Sequence, residues 1–138
     1  LDVFAGSGGL GLEALSRYAS HCDFIELDKQ AATQLKSNLT LVNASNTAAT
    51  GVHQGDALNI LKGISDAPYD IIFVDPPFAK GLVAPTLAAI VDNNLVQSGS
   101  VIYLEHESTL VTPLLPAHWN IIKDKQTSAL RYMLIEVN

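Results

Sequence analysis

The sequence has little cysteine, few basic residues and no regularly spaced histidines, and each shortage excludes a class of protein. Its one cysteine, Cys22, cannot form an internal disulfide and fits a reducing compartment, so we expect a cytoplasmic protein. Eight Lys and Arg against 14 Asp and Glu give a formal net charge of -6, which argues against a protein that holds nucleic acid by charge alone. Any nucleic acid must be bound through local contacts. The four histidines lack metal-ligand spacing, and we expect no metal.

Long apolar runs are missing as well. The longest strongly apolar run covers only residues 71–74, and the wider stretch from Gly81 to Val91 is interrupted by Pro85, so the sequence predicts no membrane partner. The chain opens with Leu1-Asp2-Val3-Phe4, which is typical of the end of a strand that enters a glycine loop, and it carries no signal-peptide pattern. We therefore expect the first strand to be cut short and natural sequence to precede it.

The 138 residues, 48% of them hydrophobic, predict one domain over residues 1–138 that alternates strands with helices. Continuous burial is expected for residues 69–74, because both faces of a parallel strand are covered. Residues 119–125 and 130–137 alternate apolar and polar side chains, which predicts a closing antiparallel hairpin. Together, the predicted strands and helices indicate a doubly wound, mostly parallel α/β sheet. Other strands are predicted at residues 1–4, 22–25, 50–54 and 101–105, and helices at residues 10–18, 31–42, 57–61 and 85–91.

A glycine loop, Ala-Gly-Ser-Gly-Gly-Leu-Gly at residues 5–11, follows the opening strand. Glycines allow positive φ and a close approach of backbone to ligand, and the following helix start offers N–H groups. Glu26 ends the next strand 15 residues beyond Gly11, where a carboxylate can accept hydrogen bonds from a ribose diol. Loop and acid together favour an adenosine-type ligand, although a tight turn and a solvated acid such as Asp28 fit the same residues.

Two further strand ends carry polar residues. After the third strand, Asp56 fits two compatible roles, an acceptor for an adenine amine and a helix N-cap. After the strongest buried strand comes Asp75-Pro76-Pro77-Phe78. Two prolines stiffen that turn, so the Asp75 carboxylate and the Pro76 carbonyl present acceptors beside a flat aromatic ring. This arrangement suits the amino group of a planar base. Farther on, Glu105 and Glu107 near a strand end could face the pocket, but a solvated pair is the expected arrangement.

These motifs, in this order, resemble class I S-adenosylmethionine-dependent methyltransferases that methylate amino groups. More closely, the chain looks like the bacterial small-subunit ribosomal RNA guanine-N2 methyltransferases of the RsmD type. The resemblance rests on Asp-Val-Phe-Ala-Gly-Ser-Gly-Gly-Leu-Gly-Leu-Glu-Ala-Leu-Ser-Arg at residues 2–17, Phe-Ile-Glu-Leu-Asp at 24–28 and Phe-Val-Asp-Pro-Pro-Phe at 73–78. It covers nearly the whole chain and implies a seven-stranded Rossmann-like sheet.

The resemblance also implies roles for individual residues. The methionine end of S-adenosylmethionine would lie against Asp2, Gly6, Ser7 and Gly8, its ribose against Glu26 and Leu27, and its adenine against Asp56 and Ala57. The target guanine would lie against Asp75, Pro76, Pro77 and Phe78. The implied partner is ribosomal RNA within an assembling small subunit. The family carries a basic segment before the first strand that this sequence lacks, so we expect the part that grips RNA to lie there.

Three alternatives stay open. The same chemistry could act on another base of RNA or DNA. Gly6, Gly8 and Gly11 also satisfy the dinucleotide fingerprint of a nicotinamide-dependent oxidoreductase, although that class leaves Asp-Pro-Pro-Phe unexplained. The last alternative is a module that binds the cofactor without catalysis.

Overall fold

Helices and strands alternate along the chain in the order that the sequence predicts. The structure, a computed structural model, describes residues 1–42 and 48–138. The predicted end of the second helix near Asn43 therefore lies outside the described residues. The elements are α1 (Gly9–Ser16), β1 (His21–Glu26), α2 (Lys29–Val42), β2 (Ala49–Gln54), α3 (Ala57–Ile60), β3 (Ile71–Val74), α4 (Val83–Asp92), β4 (Val101–Glu107), β5 (Trp119–Gln126) and β6 (Leu130–Val137).

The first of two compact units spans Leu1–Ile60 and is built on the parallel pair β1 and β2. The interior side chains of β1 pack with Leu15 of α1 and with Leu35 and Leu39 of α2. The predicted opening strand is reduced to one parallel bridge between Asp2 and Phe24. The helix predicted over residues 10–18 on the apolar spacing that includes Tyr18 ends earlier, at Ser16, and Tyr18 is 93% exposed.

The second unit spans Leu61–Asn138 and contains a four-stranded sheet in the order β3-β4-β6-β5. β3 and β4 are parallel, whereas β6 is antiparallel to both of its neighbours, so the predicted closing hairpin is confirmed. The prediction that both faces of the 69–74 run are buried is wrong at Ile71, which is 48% exposed. Successive side chains of a strand point to opposite faces, and only Ile72 and Val74 face the core.

The α/β class is thus confirmed, while the finer topology is not. The described residues form six strands, and two of their four pairings are parallel. The seven-stranded, mostly parallel sheet stays a prediction, as does the single domain. Within residues 1–42 and 48–138, no helix has the length and apolarity needed to cross a membrane.

Gly11 generates a test of how α1 packs on β1. An added Cβ would lie 2.2 Å from Cε1 of the fully buried Phe24, whereas a Cβ on Gly9 of the same helix would meet nothing within 4 Å. Alanine favours a helix over glycine by about 1 kcal/mol, but overpacking a core costs about 1–3 kcal/mol. In urea unfolding, we expect Gly11→Ala to lower the free energy of unfolding and Gly9→Ala to leave it unchanged or raise it. Equal effects would contradict this packing.

Candidate active site

The glycine loop is anchored by a buried carboxylate. Asp2 is 1% exposed, and its Oδ2 accepts the N–H of Gly11 in the first turn of α1 at 3.1 Å. Burial raises the pKa of the Asp2 carboxyl to about 6, although the hydrogen bond from Gly11 opposes that rise. The backbone of Asp2 also exchanges hydrogen bonds with Asp23 and Ile25 of β1. One residue therefore joins β1 to the start of α1.

Positive φ angles shape the loop between Asp2 and α1. Gly6 has φ +59° and Gly8, the N-cap of α1, has φ +95°. A Cβ on Gly8 would lie 2.3 Å from Cδ1 of Leu35, whereas one on Gly6 would meet nothing within 4 Å. The carbonyl of Ser7, between them, accepts the Nδ2–H of Asn38 at 3.1 Å. Gly8 is thus required by packing, and Gly6 exposes backbone to open space.

Two acidic residues lie at the end of β1 and make different contacts. Asp28 is the N-cap of α2, because its Oδ2 accepts the N–H of Ala31 at 2.8 Å. Glu26 is half-buried at the end of the strand, and its Oε2 accepts the N–H of Asp28 over a long 3.4 Å. Leu27 is 68% exposed, and its carbonyl is fixed by Nε2 of Gln54 at 2.7 Å. The strand end therefore offers a carboxylate beside an uncovered apolar side chain.

Asp56 lies at the same edge, because β1 and β2 are parallel and the N–H of Gly55 donates to the carbonyl of Glu26 at 2.9 Å. The N-cap role predicted for Asp56 is confirmed, since its Oδ2 accepts the N–H of Asn59 in α3 at 3.1 Å. Its role toward adenine stays a prediction. Ala57, the first residue of α3, is buried. The structure thus brings Glu26 and Asp56 to one edge of the first unit.

This edge fits a nucleoside that carries an amino-acid arm. A half-buried carboxylate suits ribose hydroxyls, and the uncovered Leu27 suits one face of a base. The open backbone at Gly6 and the start of α1 suit a compact polar group. The cofactor roles of Asp2, Gly6, Ser7, Gly8, Glu26, Leu27, Asp56 and Ala57 stay predictions, and the buried carboxylate of Asp2 is engaged with Gly11.

The Asp-Pro-Pro-Phe turn lies in the second unit and directly follows β3. Pro76 is buried, and Phe78 is 47% exposed, so one aromatic ring is uncovered beside a fixed turn. Ala79 has φ +58°, a left-handed conformation that is unfavourable for a residue with a Cβ. Its N–H donates to Oε2 of Glu107, 28 residues away, at 2.8 Å.

Glu105 and Glu107 are not the solvated pair that the sequence suggested. Both are half-buried, and each carboxylate accepts a hydrogen bond, since the hydroxyl of Tyr103 donates to Oε1 of Glu105 at 2.9 Å. Burial raises the pKa of Tyr103 well above its usual value, and Glu105 and the charge of Asp75 raise it further. Tyr103 is therefore a phenol near Asp75. The strand-end position of the two glutamates was the only sequence signal for these contacts.

In the described part of the chain, no three His, Cys, Asp or Glu residues form a group that could hold a metal ion. The residues predicted for the cofactor lie in the first unit, and those predicted for the target base lie in the second.

Comparison with known proteins gives the class and the family. A solved Escherichia coli structure, described as a candidate methyltransferase, matches with a TM-score of 0.88 at 39% identity over 99% of this chain and 74% of that one. The fold is that of an α/β methyltransferase. The family model described as conserved hypothetical protein 95 matches residues 1–136, and this chain belongs to that family.

Curated relatives include the ribosomal RNA small subunit methyltransferase D of two bacteria. The Haemophilus influenzae protein is 40% identical over 138 residues, which are 99% of this chain and 70% of that protein. The Escherichia coli K12 protein is also 40% identical over 138 residues, with 99% of this chain and 67% of the relative covered.

Asp2 predicts a pH-dependent stability. The folded carboxyl has a pKa of about 6 against 3.8 ordinarily, so the folded state binds its proton more tightly than the unfolded state. Stability should therefore fall as the pH rises from about 4 to above 6, by about 3 kcal/mol in total. The Asp2→Asn variant has no carboxyl to ionise, so it should not lose this stability as the pH rises. We expect its stability relative to the parent protein to rise by about 2 kcal/mol between pH 4.5 and pH 7.5, because about a third of the loss already falls below pH 4.5.

Urea unfolding at the two pH values measures this difference. Asp66→Asn, at an exposed aspartate, is the control and should show the same relative stability at both. A relative stability of Asp2→Asn that does not depend on pH would contradict the cost assigned to the buried charge.

Proposed function

We propose that this chain transfers a methyl group from S-adenosylmethionine to the exocyclic N2 amine of a guanine in small-subunit ribosomal RNA. The observation that carries the proposal is the Asp-Pro-Pro-Phe turn, which presents an acid, a proline-fixed backbone and an uncovered ring directly after a buried strand. The names of the curated relatives support ribosomal RNA as the substrate. The choice of guanine N2 comes from the resemblance to the RsmD type.

The residues of the first unit would hold the cofactor, which supplies an electrophilic methyl group on its sulfonium. Gly6, Ser7 and Gly8 would line the methionine end, with Asp2 holding the loop through Gly11. Glu26 would accept hydrogen bonds from the ribose, and Leu27 would cover a face of the nucleoside. Asp56 would accept a hydrogen bond from the adenine amine, with Ala57 behind it. Because Oδ2 of Asp56 already accepts the N–H of Asn59, the remaining lone pairs of the carboxylate would bind the amine.

The residues of the second unit would hold the target base. The guanine amine is a poor nucleophile, because its lone pair is delocalised into the ring. The Asp75 carboxylate and the Pro76 carbonyl would accept its two N–H bonds and favour a nitrogen whose lone pair is aimed at the methyl group. Phe78, stiffened by Pro77 before it, would stack on the base, which must be unstacked from the RNA to reach it.

The acidic surroundings of Asp75 suit the charge that develops during transfer. The nitrogen would become positive as its bond to the methyl carbon forms and the methyl–sulfur bond breaks, with that electron pair left on a neutral thioether. Fixed negative groups would stabilise the charge on nitrogen without reorganising. Asp75 and Glu105 both act electrostatically on Tyr103, so the two carboxylates share one neighbourhood. The methylated amine then loses its acidic proton to solvent, and no strong base is needed. Because the chain has a net charge of -6, it must bind the RNA through local contacts and not through its overall charge. We propose that the RNA is bound within an assembling small subunit.

Loss of Asp75 should slow the transfer step. We expect Asp75→Ala to reduce the single-turnover rate on the order of 100-fold, with cofactor affinity nearly unchanged, because the lost hydrogen bond strengthens only as charge develops. Phe78→Ala should instead weaken RNA engagement first, by about 1–3 kcal/mol of stacking. The measurement is transfer of labelled methyl to bare small-subunit RNA and to assembled small subunits, followed by nucleoside analysis for N2-methylguanosine.

Asp70→Ala is the matched control, because Asp70 is an exposed aspartate directly before the same strand, β3. Thermal unfolding of each variant separates loss of chemistry from loss of fold. A folded Asp75→Ala protein with the parent rate would refute the role of the turn. A parent protein that methylates neither RNA form would refute the function, and a different methylated nucleoside would refute the target.

A further inference from the structure

The Asp-Pro-Pro-Phe turn has few backbone donors with which to fix itself. Pro76 and Pro77 have no N–H, and residues 75–77 belong to no helix or strand. The N–H of Ala79, which directly follows the aromatic residue of the turn, donates to the side chain of Glu107 at 2.8 Å. The turn is therefore tied to another strand by a carboxylate.

The register of the sheet explains how Glu107 reaches the turn. β3 and β4 are parallel, and the last residue of β3, Val74, is paired with Leu104. β4 continues for three more residues, to Glu107, beyond the point where β3 ends. At about 3.3 Å per residue, this extension carries the Glu107 side chain about 10 Å past the end of β3, beside the turn.

The backbone of Glu107 is itself well held. It is paired with Leu130 of β6, and its carbonyl accepts hydrogen bonds from Nδ1 of His106 at 2.7 Å and from the N–H of Leu110 at 3.2 Å. Because a carbonyl can only accept, Nδ1 of His106 carries the proton in that bond. His106 is 1% exposed, and its Nε2 lies 3.0 Å from Oγ1 of Thr112. The carboxylate thus projects from a fixed point.

Ala79 lies in a turn and has an unfavourable conformation that the bond to Glu107 helps to hold. A residue with a Cβ adopts φ +58° only when its surroundings hold it there. Removing the Glu107 carboxylate would release one restraint on Ala79 and so loosen the placement of the adjacent Phe78 ring.

We propose that Glu107 is a positioning residue for methyl transfer, which fixes Phe78, and through it the target base, by binding the N–H of Ala79. This inference rests on the proposed function. Glu107→Ala keeps the Phe78 ring, so the base can still stack, but it stacks in the wrong place and the rate at saturating RNA falls. Phe78→Ala differs, because it removes the stacking itself and weakens RNA engagement first. A misplaced base can reduce such a rate on the order of 100-fold.

The test compares Glu107→Ala, which removes the acceptor, with Glu107→Gln, which keeps one. In the full chain we expect Glu107→Ala to lower kcat by roughly 10- to 100-fold and Glu107→Gln by no more than about threefold, with cofactor affinity unchanged in both. Glu136→Ala is the control, since Glu136 is an equally half-buried glutamate on β6, opposite Val101 at the other end of β4. It should match the parent protein.

Two further readouts distinguish positioning from general stability. Amide exchange at Ala79 should be slow in the parent protein and fast in Glu107→Ala, whether or not methyl transfer is measured. Phe78→Ala should reduce activity less in the Glu107→Ala background than in the parent, because both changes remove the same placement.

A folded Glu107→Ala protein with parent kcat would overturn the inference, as would equal losses in the Ala and Gln variants. Unchanged exchange at Ala79 would also overturn it. The parent protein could transfer no methyl group while amide exchange at Ala79 still becomes faster in Glu107→Ala. That result would overturn the proposed function and leave only the hydrogen bond between Ala79 and Glu107 as a structural contact.

Discussion

The hydrogen bond from Gly11 to the buried Asp2 carboxylate is the constraint on which the first unit depends. It links the opening segment, whose backbone bonds to β1, with the first turn of α1, and so fixes both ends of the glycine loop. Burial makes the charge of Asp2 costly, as its pKa of about 6 shows. Between these anchors, the side of Gly6 that a Cβ would occupy has no atom within 4 Å.

In the second unit, the Asp75 turn is fixed by a different set of contacts. Two prolines give the Asp75 turn stiffness but remove the donors that would tie it to a neighbouring strand. From β4, the carboxylate of Glu107 accepts the N–H of Ala79 after the turn, and the phenol of Tyr103 lies in the electrostatic field of Asp75. In each unit, then, a carboxylate accepts a backbone N–H next to a loop that is proposed to bind a ligand. The chemistry proposed here requires that kind of preorganisation.

Local patterns predicted much of this arrangement. The period of the apolar residues gave the order of elements, and the residue types gave the hairpin, the N-cap at Asp56 and the place of Asp75 after a buried strand. What could not be predicted depends on register. The reach of Glu107 to Ala79 follows from β4 extending three residues past its last partner in β3, and no local pattern encodes that offset. The exposure of Tyr18 depends on where α1 ends, which its apolar spacing left open.

The most direct test of the account measures amide hydrogen exchange in the chain with and without S-adenosylhomocysteine, the demethylated product of the cofactor. We expect slower exchange at Gly6, at Gly9 and at Leu27, where backbone or an uncovered side chain borders the proposed ligand. The amide of Gly11 should change little, because Asp2 already holds it. Protection confined to residues outside the glycine loop and the ends of β1 and β2 would contradict the account.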